Sequence, residues 1–118
     1  MKVLFVCSRN RLRSLTAEMV FDGVGGHQVR SAGTEQGARI RVTPGLLGWA
    51  DLVFVMEKRH VQRLRQKHAE AIQGKPVVCL HIPDDYGYMD PELIERLRAR
   101  VAPHLDFAAD GEDEPDAG

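Results

Sequence analysis

Residues 3–18 read VLFVCSRNRLRSLTAE, and the architecture of the chain follows from them. The first four, VLFV, are aliphatic and aromatic without alternation of apolar and polar positions. Such a run marks a strand buried on both faces. The loop SRNRLR follows. Helix formers then run from Ser14, placed as an N-cap, to Phe21, with Leu15, Met19 and Val20 toward one side and Gly23, Gly25 and Gly26 as the stop. The order is strand, tight loop, helix.

The same alternation continues outward. His27 to Ser31 reads as a short second strand, and AGTEQGARIR at 32–41 as a polar loop. Thr43 before Pro44 is a cap followed by a proline at the first helical position, opening a helix to Trp49. Leu52 to Met56 (LVFVM) is a third strand. Val61, Leu64, His68, Ala71 and Ile72 then recur at helical spacing within Lys58 to Gln73, and Val77 to Leu80 is a fourth strand. Asp90-Pro91 repeats the cap and proline before Leu93, Leu97 and Val101, which mark a last helix. Short buried strands alternating with amphipathic helices predict an α/β domain with a parallel sheet. Ligands of such sheets lie beyond the carboxyl ends of the strands, where the loops at 7–13 and 82–89 fall.

At 118 residues, 43% apolar and 28% charged, the chain is long enough for one ordinary core, which excludes a disulfide scaffold, a fibre and a membrane span. The formal charge of −1 hides an asymmetry. All 16 Lys and Arg but only 11 of the 17 acids lie within residues 1–105, a formal +5 suited to an anionic ligand. Residues 106–118 are acidic and poor in apolar groups, so a disordered tail is expected after a domain spanning 1–105. The cysteines are Cys7 and Cys79, and the apolar start is too short for a signal peptide, which together predict a reduced, cytoplasmic protein.

Cys7 ends the first strand, and Arg13-Ser14 follow six and seven residues on. A five-residue loop of Ser8, Arg9, Asn10, Arg11 and Leu12 wrapping into a helix turns successive backbone N–H groups inward, a cradle for a tetrahedral dianion. The same field favours Cys7 as thiolate, the nucleophilic form. The planar fork of Arg13 matches two phosphate oxygens, which Lys cannot do. Cys7 also fits a small buried residue at a strand end. The strand before it, the helix after it and Ser14 behind Arg13 favour the nucleophile.

Residues 3–18 resemble the phosphate loop of the low-molecular-weight protein tyrosine phosphatases, a hydrophobic strand followed by C-x-x-N-x-x-R-S and then x-x-A-E, with Asn10, Ala17 and Glu18 in register. SAGT at 31–34, ADLVFVM at 50–56 and IPDD at 82–85 resemble the second strand, third strand and acid loop of that family. The resemblance covers residues 3 to about 101. It implies a four-stranded parallel sheet flanked by helices on both faces, with the phosphate loop after the first strand. It implies Cys7 as nucleophile, Arg13 as phosphate clamp, Ser14 as hydroxyl donor to the thiolate, Asn10 as a left-handed brace of the loop, and Asp84 as general acid. No metal or cofactor is implied. The chain departs from the pattern at Arg9, often glycine, at Leu12, often a second cysteine that forms a loop disulfide, and at Leu15, often proline. Asp85 stands where proline follows the acid, so two carboxylates compete for that role. The segment between SAGT and ADLVFVM is shortened against relatives of roughly 150 residues, and it helps wall the substrate pocket.

Tyr86 and Tyr88 lie in the acid loop, where relatives place aromatics against the substrate ring; half-exposed loop tyrosines are the plainer reading. Trp49 is expected in helix packing, Cys79 as a buried filler, and His60 and His68 as solvated or core-edge residues. The Arg9, Arg11, Arg13 alternation has no interleaved aromatics, so no nucleic-acid partner is expected, and no membrane. The expected activity is a cysteine-dependent phosphomonoesterase acting on a phosphotyrosine-containing protein or a small aryl phosphate. The rivals are an inactive oxyanion-binding module and a thiol-dependent arsenate reductase, which needs further cysteines near the site.

Overall fold

A computed structural model describes residues 1–107. Its four strands form one parallel sheet in the order β2-β1-β3-β4. They are β1 (Lys2–Cys7), β2 (Gln28–Gly33), β3 (Leu52–Val55) and β4 (Val77–Cys79). The helices are α1 (Arg13–Phe21), α2 (Pro44–Trp49), α3 (Lys58–Lys67), α4 (Ala69–Ile72) and α5 (Pro91–Val101).

The unbroken apolar run of β1 is explained by its central place. Val3, Phe5 and Cys7 point to one face, onto Ala17 and Phe21 of α1 and Leu93, Leu97 and Val101 of α5. Leu4 and Val6 point to the other, onto Leu47 of α2 and Leu64 of α3. Phe5 packs between Phe21 and Phe54, with ring centroids 5.7 and 5.1 Å away, so truncating it to alanine is expected to cost about 3–5 kcal/mol. The expected sheet, with helices on both faces, is the observed one.

Both proline-initiated helices start as their sequences predict. Thr43 Oγ1 accepts from Leu46 N–H at 3.1 Å, and Asp90 Oδ1 from Glu92 N–H at 2.9 Å. Helix α1 differs from expectation. It begins at Arg13, its N-cap is Leu12 without a side-chain cap, and Ser14 lies inside the first turn with its hydroxyl turned to the strand end. It buries Ser14, Ala17 and Phe21, spaced by three and four, and leaves Met19 half exposed. The stretch predicted as one helix over 58–73 breaks at His68, whose φ of −137° and ψ of 38° are not helical. Cys79 is half-buried rather than a full core residue, its Sγ 3.6 Å from His81 Nδ1. Trp49 packs at the edge of the second face with the Arg30 guanidinium 4.3 Å from its ring centroid.

The expected tail began at residue 106. Phe107 is buried, its ring 4.4 Å from that of Phe21, and residues 108–118 lie outside the described residues. Among the described residues no helix is long and apolar enough to cross a membrane. The connection after β1 runs through α1 on one face, and that after β2 through α2 on the other. A crevice therefore opens at the carboxyl end of β1, where Cys7 sits.

Candidate active site

The loop after Cys7 is held by its carbonyls. Those of Cys7, Ser8 and Arg9 accept from the backbone N–H groups of Thr34, Glu35 and Arg39 at 2.9, 2.9 and 3.0 Å, and that of Asn10 accepts from Arg39 Nε at 3.2 Å. In a planar trans peptide the C=O and the following N–H point in opposite directions. Four carbonyls turned out toward residues 34–39 therefore turn the next four N–H groups inward. The polar loop after β2, featureless as sequence, is the backing of the cradle.

Gly33 is what lets that backing come close. A Cβ there would sit 2.5 Å from the Ser8 carbonyl oxygen, 2.7 Å from Ala38 Cβ and 3.0 Å from the Arg9 carbonyl carbon, distances no side chain tolerates. The glycine of SAGT is thus a packing requirement of the loop.

Cys7 Sγ lies at the base of the cradle, buried, with Asn10 N–H directed at it from 3.3 Å and Ser14 Oγ 3.0 Å away. Asn10 Nδ2 donates to Ser14 Oγ at 2.7 Å, so the hydroxyl accepts there and has one proton to give, with Cys7 Sγ at 3.0 Å and the Ala32 carbonyl at 3.4 Å both within its reach. Asn10 has φ of 58°, the left-handed region its side chain tolerates well, and is fully buried beneath the loop.

Arg13 is 2% exposed and fixed on three sides. Its Nη1 donates to the Ile82 carbonyl at 2.9 Å and lies 3.5 Å from Glu57 Oε2, while its Nε is 3.7 Å from Asp84 Oδ1. Ile82 anchors the acid loop: its side chain is buried and its N–H donates to the Met56 carbonyl at 2.8 Å. The Ile82 contact therefore ties Arg13 to the loop that carries Asp84.

The open cleft above the thiol measures about 450 Å³ and is lined by Cys7, Ser8, Arg9, Arg11, Leu12, Arg13, Glu35, Arg59 and Asp84. Asn10 and Ser14 support it from below. Asp85 is exposed beside Asp84 and Tyr86 packs against the core, 6.0 Å from Arg96, so neither lines the cleft. Tyr88 is exposed elsewhere on the acid loop.

His60 is the residue that reading the sequence missed. It is not solvated but 1% exposed, its Nδ1 accepting from Glu57 N–H at 3.0 Å. That bond assigns the ring proton to Nε2, which lies 2.9 Å from Ser8 Oγ and donates to it. Burial, reinforced by the charge of Arg13, pushes the imidazole down to about 4. Burial pushes the Glu57 carboxyl up, but the Arg59 hydrogen bond and the charge of Arg13 outweigh it and hold it below the ordinary carboxylate range. The available signal was the spacing Glu57-x-x-His60, that of a capping box, placed just after a strand end facing the crevice.

The crystal structure of the tyrosine phosphatase Wzb from Escherichia coli K30, with phosphate, superposes with a TM-score of 0.70 over 86% of this chain and 94% of its own, at 22% identity. This is the fold of the low-molecular-weight protein tyrosine phosphatases. The phosphatase of that class from Streptococcus pyogenes matches with a TM-score of 0.71 over 89% and 93% of the two chains, at 15% identity. A YwlE arginine phosphatase, a Cys→Ser mutant whose active-site serine is phosphorylated, matches with a TM-score of 0.67 over 89% and 95%, at 24% identity. No family model matches the chain, and no curated protein matches its sequence. The low-molecular-weight phosphatase fold is thus shared at identities below 25%.

Proposed function

We propose that this protein is a phosphomonoester hydrolase that works through a cysteinyl-phosphate intermediate on phosphotyrosine or another aryl phosphate. The observation that carries this reading is the convergence on Cys7 Sγ of the Asn10 N–H and the Ser14 hydroxyl, inside a loop where the carbonyls of Cys7, Ser8, Arg9 and Asn10 turn outward. The thiolate attacks phosphorus; the P–O ester bond breaks, and the Asp84 proton passes to the departing oxygen. Water then attacks the phosphocysteine, its proton passing to the Asp84 carboxylate as the P–S bond breaks. Inward N–H groups and the Arg13 guanidinium stabilise the equatorial oxygens in both steps. The phosphorylated active-site serine in the YwlE mutant, and the tyrosine and arginine phosphatases among the neighbours, support phosphoryl transfer to an active-site side chain in this fold.

The reductase reading finds no support. Cys79 belongs to the core on the opposite face from Cys7, with β3 between their strands. Two strand spacings amount to about 10 Å, beyond the roughly 7 Å limit between Cα atoms joined by a disulfide.

Turnover of p-nitrophenyl phosphate in the presence of EDTA, with inhibition by vanadate and loss in Cys7→Ser, is the expected result. Phosphate binding without turnover in the wild type would instead make the chain an oxyanion-binding module.

A further inference from the structure

Arg13 is committed to the cleft floor, but three other arginines line the cleft with N–H donors to spare. Arg11 is exposed and makes no side-chain hydrogen bond or ion pair among the described residues. The Arg9 side chain is 73% exposed, and its Nε stands 3.9 Å from Glu35 Oε1, beyond hydrogen-bond length. Arg59 uses Nε on Glu57 Oε1 at 2.5 Å, which leaves the four N–H donors of its terminal nitrogens. The scissile phosphate does not need them, since the backbone cradle and Arg13 already meet it.

The apolar features expected of an aryl-specific cleft are missing. Tyr86 is packed away beneath Arg96, Trp49 beneath Arg30, and no aromatic side chain lines the cleft among the described residues. Leu12 is the one large apolar lining residue there, and it is about one-third exposed. Binding energy beyond the phosphate therefore has to come from charge rather than ring stacking.

We propose that Arg9, Arg11 and Arg59 form a second anion subsite at the cleft mouth, so that the preferred substrates are phosphomonoesters whose leaving group carries negative charge of its own. This rests on the hydrolase reading above and narrows its substrate class. The guanidinium groups are solvated and flexible, so their contribution is recognition and steering, and it is screened by salt.

The test compares 4-carboxyphenyl phosphate with 4-carbamoylphenyl phosphate, near-isosteres that differ by one charge. Wild-type kcat/KM should favour the carboxylate, and the ratio between the two esters should fall by about 5- to 50-fold in Arg9→Ala/Arg11→Ala, the range of one or two charge-assisted contacts. Adding Arg59→Ala should lower it further, 0.5 M salt should shrink it in the wild type, and Arg98→Ala on α5 should leave it alone. Ratios identical in wild type and the double variant, with both esters turned over, would overturn the subsite and leave the hydrolase reading standing. Absence of wild-type turnover of either ester would overturn both. Phosphotyrosine peptides with acidic or neutral flanks identify the source of the charge: a preference shared by the acidic peptide supports the subsite with a protein substrate, and one confined to the small esters supports it with a small one.

Discussion

The Nε2–H of His60 points at Ser8 Oγ across 2.9 Å, joining the first turn of α3 to the loop after β1. Because the imidazole donates, the serine oxygen accepts, and the Ser8 hydroxyl proton is left to donate elsewhere. Ser8 lines the cleft, so that proton is available to a bound oxyanion. Neutral His60 thereby fixes the polarity of the hydrogen bond that Ser8 would offer to an anion in the cleft.

Stability should depend on this histidine in acid. Its value in the folded protein, about 4, lies below the ordinary 6.5, so between those limits the unfolded chain binds more protons than the folded one. Stability from this group is complete above pH 6.5, falls as the pH drops toward 4, and the loss amounts to about 2–4 kcal/mol. Chemical denaturation of wild type and His60→Asn across pH 4–7 checks it. The variant should be less stable at pH 7, and the gap should narrow toward pH 4.

Gly33→Ala should uncouple folding from function. The added methyl displaces Ser8 and Arg9 backbone atoms, while the φ of Gly33 is not in the left-handed region and alanine adopts it freely. A loop shifted by about 1 Å is expected to cost about 10²-fold in kcat. Gly48→Ala, where a Cβ meets nothing within 4 Å, is the control, with activity unchanged. Steady-state kinetics and circular dichroism on both variants decide.

Arg13→Lys should be far more damaging than Arg11→Lys. One ammonium cannot hold the Ile82 carbonyl, face Glu57 and Asp84, and still present two donors to phosphate. We expect kcat to fall by about 10²–10³-fold for Arg13→Lys, the size of a lost oxyanion contact, and by less than tenfold for Arg11→Lys.

Much of this site was legible in the order of residues. The placing of Cys7 and Arg13 follows from local chemistry at fixed spacing, the left-handed Asn10 and the Ser14 hydroxyl beside the thiol from the family resemblance, and the buried strands from unbroken apolar runs. What stayed hidden is tertiary. Nothing local in AGTEQGARIR says that its N–H groups will clamp four carbonyls 25 or more residues upstream. The apolar stripe assigned to α1 failed because Ser14 and Ala17, small and unremarkable on a hydropathy scale, are the residues that let the helix approach the sheet, whereas Met19 is free to face water. Tyr86 could be read from the sequence as a substrate wall or as a plain loop tyrosine, and the course of the acid loop decides by turning it onto α5.

The two adjacent carboxylates of the acid loop should separate by leaving group. Asp84 lines the cleft beside Arg13, whereas Asp85 points to solvent. Asp84→Asn should slow an alkyl or unactivated aryl phosphate by about 10²-fold or more and p-nitrophenyl phosphate much less, while Asp85→Asn retains most of the rate with both. Leaving-group dependence that follows Asp85 would exchange the two roles.

Covalent transfer to Cys7 can be read directly. Asp84→Asn should slow release of phosphate from the enzyme more than its arrival when the leaving group is p-nitrophenol. Rapid acid quench of that variant, followed by mass spectrometry under conditions that preserve thiophosphates, should find one phosphoryl group on the peptide containing Cys7 and none on that containing Cys79. Steady turnover with no phosphoryl group on Cys7, or turnover that persists in Cys7→Ser, would contradict the cysteinyl-phosphate mechanism.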